Sequence, residues 1–220
     1  IKGMLSVLPP SDGDFLGFDI GGGSTEFLLV RSRASRPSWC ASIPIGAATL
    51  TESHLGGDPP GRDAQERASA FVREKIIALR EQMLSSIGSE FEDGFPAIRL
   101  AGTAGTVTTL AAIHLRMTEY IPYRVNGVSI EAEWLRETVE SLSGMPISRR
   151  KSIPGLEPGR EDIILGGAII ASQILSTFGK KSFLVTDAGL LEGLLLERVE
   201  KESGLASGLN TSLTWQLQKG

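Results

Sequence analysis

The stretch Asp19-Ile-Gly-Gly-Gly-Ser-Thr-Glu26 sets two carboxylates on either side of three consecutive glycines and two hydroxyls. Consecutive glycines let backbone N–H groups converge with no side chain in the way, which makes a concavity suited to an anion. Ser24 and Thr25 add hydroxyl donors. Carboxylates beside a phosphate repel it unless a divalent cation lies between them or one of them acts as a base. The combination therefore suggests Mg2+-dependent phosphate chemistry. The plainer alternative is a glycine-rich hairpin turn with two solvated carboxylates.

Two further stretches have the same grammar. Ala101-Gly-Thr-Ala-Gly-Thr106 reads as a strand running into a helix through two glycines. Its free N–H groups and partial positive charge suit a phosphate or nucleotide. Gly102, Thr103, Gly105 and Thr106 are the candidate contacts. The stretch lacks the Gly-Lys-Ser/Thr of a Walker loop and is not G-x-G-x-x-G. Its plainer reading is a helix start capped by Thr103. Thr186-Asp-Ala-Gly-Leu-Leu-Glu-Gly193 repeats strand, Asp, Gly, helix, with Asp187 as a helix cap. Three such turns at the ends of three strands line one edge of a sheet, where open α/β sheets bind their ligands.

The elements that must position these turns are legible from periodicity. Phe15–Ile20, Thr25–Arg31 and Trp39–Ile45 read as strands, the first two as a hairpin, and residues 56–63 as a loop. Ala64–Ile87 carries apolar residues at helical spacing, with Asp63 as candidate N-cap. Ile98–Ala101 and Phe183–Thr186 are two more strands, and Val107–Leu115, Glu131–Leu142 (capped by Ser129), Glu161–Phe178 and Asp187–Lys201 are helices. Asn-Gly within YRVNGVSI signals a hairpin. The tail after Gly204 is polar and expected to be loosely held. The order predicts an α/β fold, a mixed five-stranded sheet flanked by helices, as one domain over 1–220.

Composition removes other classes. A net charge of −4 weighs against binding to duplex nucleic acid. One cysteine, Cys40, excludes an internal disulfide and a cysteine-rich zinc site, and two histidines exclude a histidine-rich metal centre. Cys40 is expected in the core, and His54 and His114 are expected to have no functional role. The basic run Arg149-Arg150-Lys151 reads as a loop, with steering of a polyanion as its functional alternative. The longest apolar stretch, Ile163–Ala171, is too short for a membrane span. No signal peptide is visible, and the expected location is the cytoplasm. The chain opens on Ile1 rather than Met and reads as part of a longer protein.

Taken in order, DIGGGSTE, AGTAGTVTTLAAI, GLEPGREDIILGGAII (with Arg160 and Asp162) and TDAGLLEGLLLE resemble the exopolyphosphatase/guanosine pentaphosphatase (Ppx/GppA) family over Ile1 to about Lys201. The resemblance implies a ribonuclease H-like fold, one lobe of an actin-like two-lobe architecture. It implies that this chain is the second, C-terminal lobe, with the first lobe and a base glutamate preceding Ile1. Asp19 and Glu26 then match metal- and water-related carboxylates, and Gly21, Gly22, Gly23 and Ser24 a phosphate loop. Asp19 would help hold Mg2+. The expected activity is release of terminal phosphate from inorganic polyphosphate or guanosine pentaphosphate, with the chain on its own inactive. The alternatives are a sugar-kinase-like phosphotransferase with a nucleotide at Gly102–Thr106, and a non-catalytic polyphosphate- or nucleotide-binding lobe. The expected partners are the first lobe and, through Leu191 and Leu195, a second copy as a homodimer.

Overall fold

The computed structural model describes residues 2–8, 13–31, 37–87 and 98–203. The expected loose tail after Gly204, with Trp215, and most of the polar link before Trp39 lie outside the described residues. The chain enters through α1 (Lys2–Val7) and lays down a meander of β1 (Phe15–Ile20), β2 (Thr25–Val30) and β3 (Trp39–Ile43). Then follow α2 (Ala47–His54), α3 (Arg62–Ile87), β4 (Arg99–Thr103), α4 (Ala104–His114) and α5 (Pro122–Val125). The remainder is β5 (Ser129–Glu131), α6 (Ala132–Ser143), α7 (Ile147–Arg150), α8 (Ile164–Thr177), β6 (Ser182–Val185) and α9 (Leu190–Ser203).

Among the described residues the sheet runs β3-β2-β1-β4-β6-β5. The meander is antiparallel, β1, β4 and β6 are parallel, and β5 is antiparallel to β6. The antiparallel meander extended by parallel strands is the ribonuclease H-like arrangement that the resemblance implies. The sheet has six strands rather than five. The YRVNGVSI segment is not a hairpin: Pro122 opens a helical turn, as proline at a first helical position does. After the turn at Gly127, Val185 donates to the carbonyl of Val128, and the following residues pair with β6.

Alternation sorts the sheet into two faces. Leu16, Phe18, Ile20, Phe27 and Leu29 belong to the large core, covered by α2, α3, α4, α6 and α8. Phe15, Leu28, Val30, Ala101 and Leu184 face the other way, where Met4 and Leu8 pack on them, and α9 packs on α1. Helix α8 is buried along most of its length, as its apolar run predicts. A β-carbon on Gly166 would lie 2.6 Å from Thr51 Oγ1, and one on Gly167 2.3 Å from Thr106 Cγ2. The two glycines thus bring α2 and α4 close, and the N-termini of those helices flank the candidate site.

Several local expectations are corrected. Cys40 is exposed, because on edge strand β3 the residues turned to the core are its neighbours Trp39, Ala41 and Ile43. Asp63 lies inside the first turn of α3 rather than capping it, and Ser129 lies in β5. Arg149 and Arg150 belong to a short helix, with Arg150 buried. Helix α2 was not expected from the sequence. His54 stacks on Phe71 and His114 meets Trp134 edge-on.

Candidate functional site

Pairing register puts four polar residues in one transverse row. Ser42 faces Glu26, Glu26 faces Asp19, and Asp19 faces Thr103, across β3, β2, β1 and β4. Directly opposed residues share a face, so all four project to the α1/α9 side, at the carboxyl ends of the parallel strands. Glu26 is exposed and accepts from Ser24 Oγ at 2.6 Å and Ser42 Oγ at 2.7 Å, both on Oε1. Asp19 is half-buried, and among the described residues no group donates to its carboxylate. Burial first, and the neighbouring Glu26 charge second, push its carboxyl above the usual range.

The glycine turn is locked from behind. The carbonyls of Gly21 and Gly22 accept from Ala47, Ala48 and Thr49, the first amides of α2, at 2.9–3.1 Å. This needs Gly46, where a β-carbon would lie 2.4 Å from Gly22. A trans peptide points its N–H away from its C=O. The amides of Gly22 and Gly23 therefore point away from α2, and among the described residues neither they nor the Ser24 amide has an acceptor. The hydroxyls are committed otherwise. Ser24 donates to Glu26, and buried Thr25 donates to the carbonyl of Ile45 at 2.6 Å. Ser24 offers a ligand its backbone, not its side chain.

The second glycine motif opens on a cavity of about 870 Å3, within the usual range for ligand sites. Asp19, Thr103, Ala104 and Gly105 form its floor. Tyr120, Arg160, Asp187 and Glu192 line its sides, together with an apolar wall that includes Met117, Ile153 and Leu156. Thr103 is 95% buried and makes no cap hydrogen bond, leaving its hydroxyl for the cavity. Ala104 has φ 71°, the left-handed region that a non-glycine residue occupies at a cost of about 1–3 kcal/mol, typically at a functional turn. Arg160 pairs with Glu157 and lies across Gly105, where a β-carbon would be 2.1 Å from Nη2. Tyr120 donates to Asp187 Oδ1 at 2.8 Å; burial and that carboxylate hold its phenol well above its usual range. Gly102 and the Thr106 side chain also take part in packing. Gly102 makes room for the Phe18 ring and Thr106 is buried against Gly167. At the start of α9 the Gly189 amide donates to Glu192 Oε2 at 2.8 Å.

The model of the Ppx/GppA phosphatase family matches residues 1–202. The chain belongs to that family. Exopolyphosphatase 2 of Mycobacterium tuberculosis is 31% identical over 199 residues, covering 89% of this chain and 59% of that protein. The bifunctional 3-dehydroquinate synthase/phosphatase of Fusobacterium nucleatum is 31% identical over 208 residues, covering 91% of this chain and 29% of that protein. The crystal structure of the Aquifex aeolicus family member superposes with a TM-score of 0.77 at 28% identity, covering 91% of this chain and 61% of that one. This family member thus spans about three-fifths of the first curated relative. The family's solved structures share its mixed sheet and flanking helices.

The donors present suit Mg2+. Asp19 and Glu26 offer hard oxygen donors on one face, and among the described residues no group donates to Asp19. Among the described residues no group of three or more His, Cys, Asp or Glu forms a closed cage. Mg2+ typically takes one or two carboxylates and draws its other ligands from phosphate and water. Ser42 is not legible as a site residue in the sequence beyond its alternation on β3. Arg160 is legible there only as part of a motif.

Proposed function

We propose that the protein carrying this chain is a phosphohydrolase that releases the terminal phosphate of a polyphosphate, with this chain forming one side of the cleft. The observation that carries the reading is the row Glu26–Asp19–Thr103 beside glycine amides that have no acceptor among the described residues. The amides of Gly22, Gly23 and Ser24 hold the terminal phosphate. The Thr103 hydroxyl and the first amides of α4 receive the next one. Glu26, fixed by two serine hydroxyls, orients the attacking water in line with the scissile bond. Asp19, with Glu26, would hold Mg2+, which offsets phosphate charge when bound. The base that deprotonates the water is a glutamate of the first lobe, outside this chain. Catalysis then rests on positioning and charge stabilisation.

The apolar wall of the cavity supports a second reading of the substrate, a ring-bearing one such as guanosine pentaphosphate. The expected location is the cytoplasm; in the described residues no helix is long and apolar enough to cross a membrane. The test is orthophosphate release by the intact polypeptide from long-chain polyphosphate and from guanosine pentaphosphate, with Mg2+ and with chelator. Release from either, lost in Asp19→Ala, supports the reading. Nucleotide turnover that requires a sugar acceptor would favour a phosphotransferase, and no turnover at all would favour a binding lobe.

A further inference from the structure

Arg150 is the largest fully buried side chain among the described residues. Its guanidinium meets no carboxylate at ion-pair distance there; it donates to three carbonyls instead. Nε reaches Met145 O at 2.9 Å, Nη1 reaches Glu161 O at 3.1 Å and Nη2 reaches Leu142 O at 3.0 Å. Burial lowers its pKa, with the charges of Asp58 and Asp162 opposing. Taking a charge out of water is costly unless its donors are satisfied, so the site invests in these three bonds. Two of the carbonyls end α6 and follow it, where a cation is favoured. The third, on Glu161, adjoins Arg160.

The segment between them, 151–161, is a wall of the cavity. It is held elsewhere as well. Lys151 Nζ lies 3.5 Å from Glu161 Oε1, and the Gly159 amide donates to Glu161 Oε2 at 2.6 Å. Gly155, at φ +90°, lies so close to α4 that a β-carbon would be 2.1 Å from Ala112 O.

We propose that Arg150 is a positioning residue of the phosphate site: its buried guanidinium anchors segment 151–161 and so holds Arg160 across the turn between β4 and α4. The proposal rests on the phosphohydrolase reading for its ligand, and on geometry alone for the placement of Arg160. A lysine at 150 keeps the charge but lacks the planar fork that satisfies three carbonyls in different directions.

The experiment measures Mg2+-dependent binding of inorganic tripolyphosphate to the chain, with the Arg160 Nε–H resonance followed by NMR. Arg150→Lys and Arg160→Ala should each weaken binding about tenfold. The double variant should be no weaker than Arg160→Ala alone, since both changes remove one interaction. In Arg150→Lys the Arg160 resonance should shift or broaden before any ligand is added. Arg150→Gln, which removes the buried charge and the three-way fork while keeping a donor, provides the same readouts if Arg150→Lys does not fold. Additive losses, or an unchanged Arg160 resonance in a folded variant, would overturn the proposal. Absent tripolyphosphate binding by the wild-type chain would overturn the phosphate reading, while the NMR arm still decides the anchoring.

Discussion

Asp19 and Glu26 stand opposite one another on β1 and β2, yet their surroundings differ. Glu26 receives two serine hydroxyls on one oxygen, while the Asp19 carboxylate, more buried, receives no donor from the described residues. A half-buried carboxylate facing a second one and left without a partner is poorly placed for stability. It is well placed for a divalent cation. The division of labour follows: Glu26 is oriented by the protein, and Asp19 is left for a ligand.

The Asp19→Asn variant should therefore keep the fold and lose turnover. The folded-state pKa of Asp19 is raised above its ordinary value of 3.8. The unfolded chain thus loses this proton first as pH rises, and stability falls through the window between the two pKa values. At neutral pH the wild type carries that penalty and the Asn variant does not. Melting temperatures across pH should show Asp19→Asn at or above the wild type near pH 7, with the gap closing below the ordinary carboxylate range. A variant that melts well below the wild type at neutral pH would make Asp19 structural.

Gly23→Ala separates packing from ligand contact. A β-carbon on Gly23 would meet no atom within 4 Å, and its φ is not positive, so the fold does not require glycine there. The expected outcome is an unchanged melting temperature with phosphate binding weakened at least about tenfold, a loss of roughly 1.4 kcal/mol. Calorimetric titration with tripolyphosphate checks it. Wild-type affinity would mean that the turn amides do not touch the ligand.

The sequence made the strands and both glycine turns legible because glycine clusters and two-residue alternation are local signals. Its face assignments went wrong where a partner strand decides. Cys40 looks like core material until β3 is seen at the sheet edge, and Ser42 acquires meaning only from the register that sets it beside Glu26. Residues 123–130 mislead because Asn-Gly is a turn signal that does not say which strands flank it. Arg150 looked like one of three solvated charges; its burial depends on carbonyls contributed by α6 and by Glu161, which no local pattern announces.

Helix α9 predicts self-association. Leu191 is 77% exposed and Leu194, Leu195 and Val199 are also exposed, while Leu196 is buried with Val7 and Ala188. Contiguous apolar surface of this kind is unusual on a soluble monomer. Sedimentation over a concentration series should show association, reduced by the Leu191→Glu, Leu195→Glu double variant. A wild-type monomer at all concentrations would contradict the expectation.

Cation dependence bears most directly on the central claim. Among the described residues the cavity sets Asp19, Glu157, Asp187 and Glu192 against one guanidinium, Arg160, already paired with Glu157. Such a surface repels a bare polyanion, and a cation at Asp19 reverses that locally. Titration of inorganic tripolyphosphate into the chain should give saturable binding with Mg2+, none with chelator, and none with Mg2+ in Asp19→Asn. Equal binding with Mg2+ and with chelator, or full binding by Asp19→Asn, would contradict the assignment of Asp19 as the carboxylate through which this site accepts phosphate.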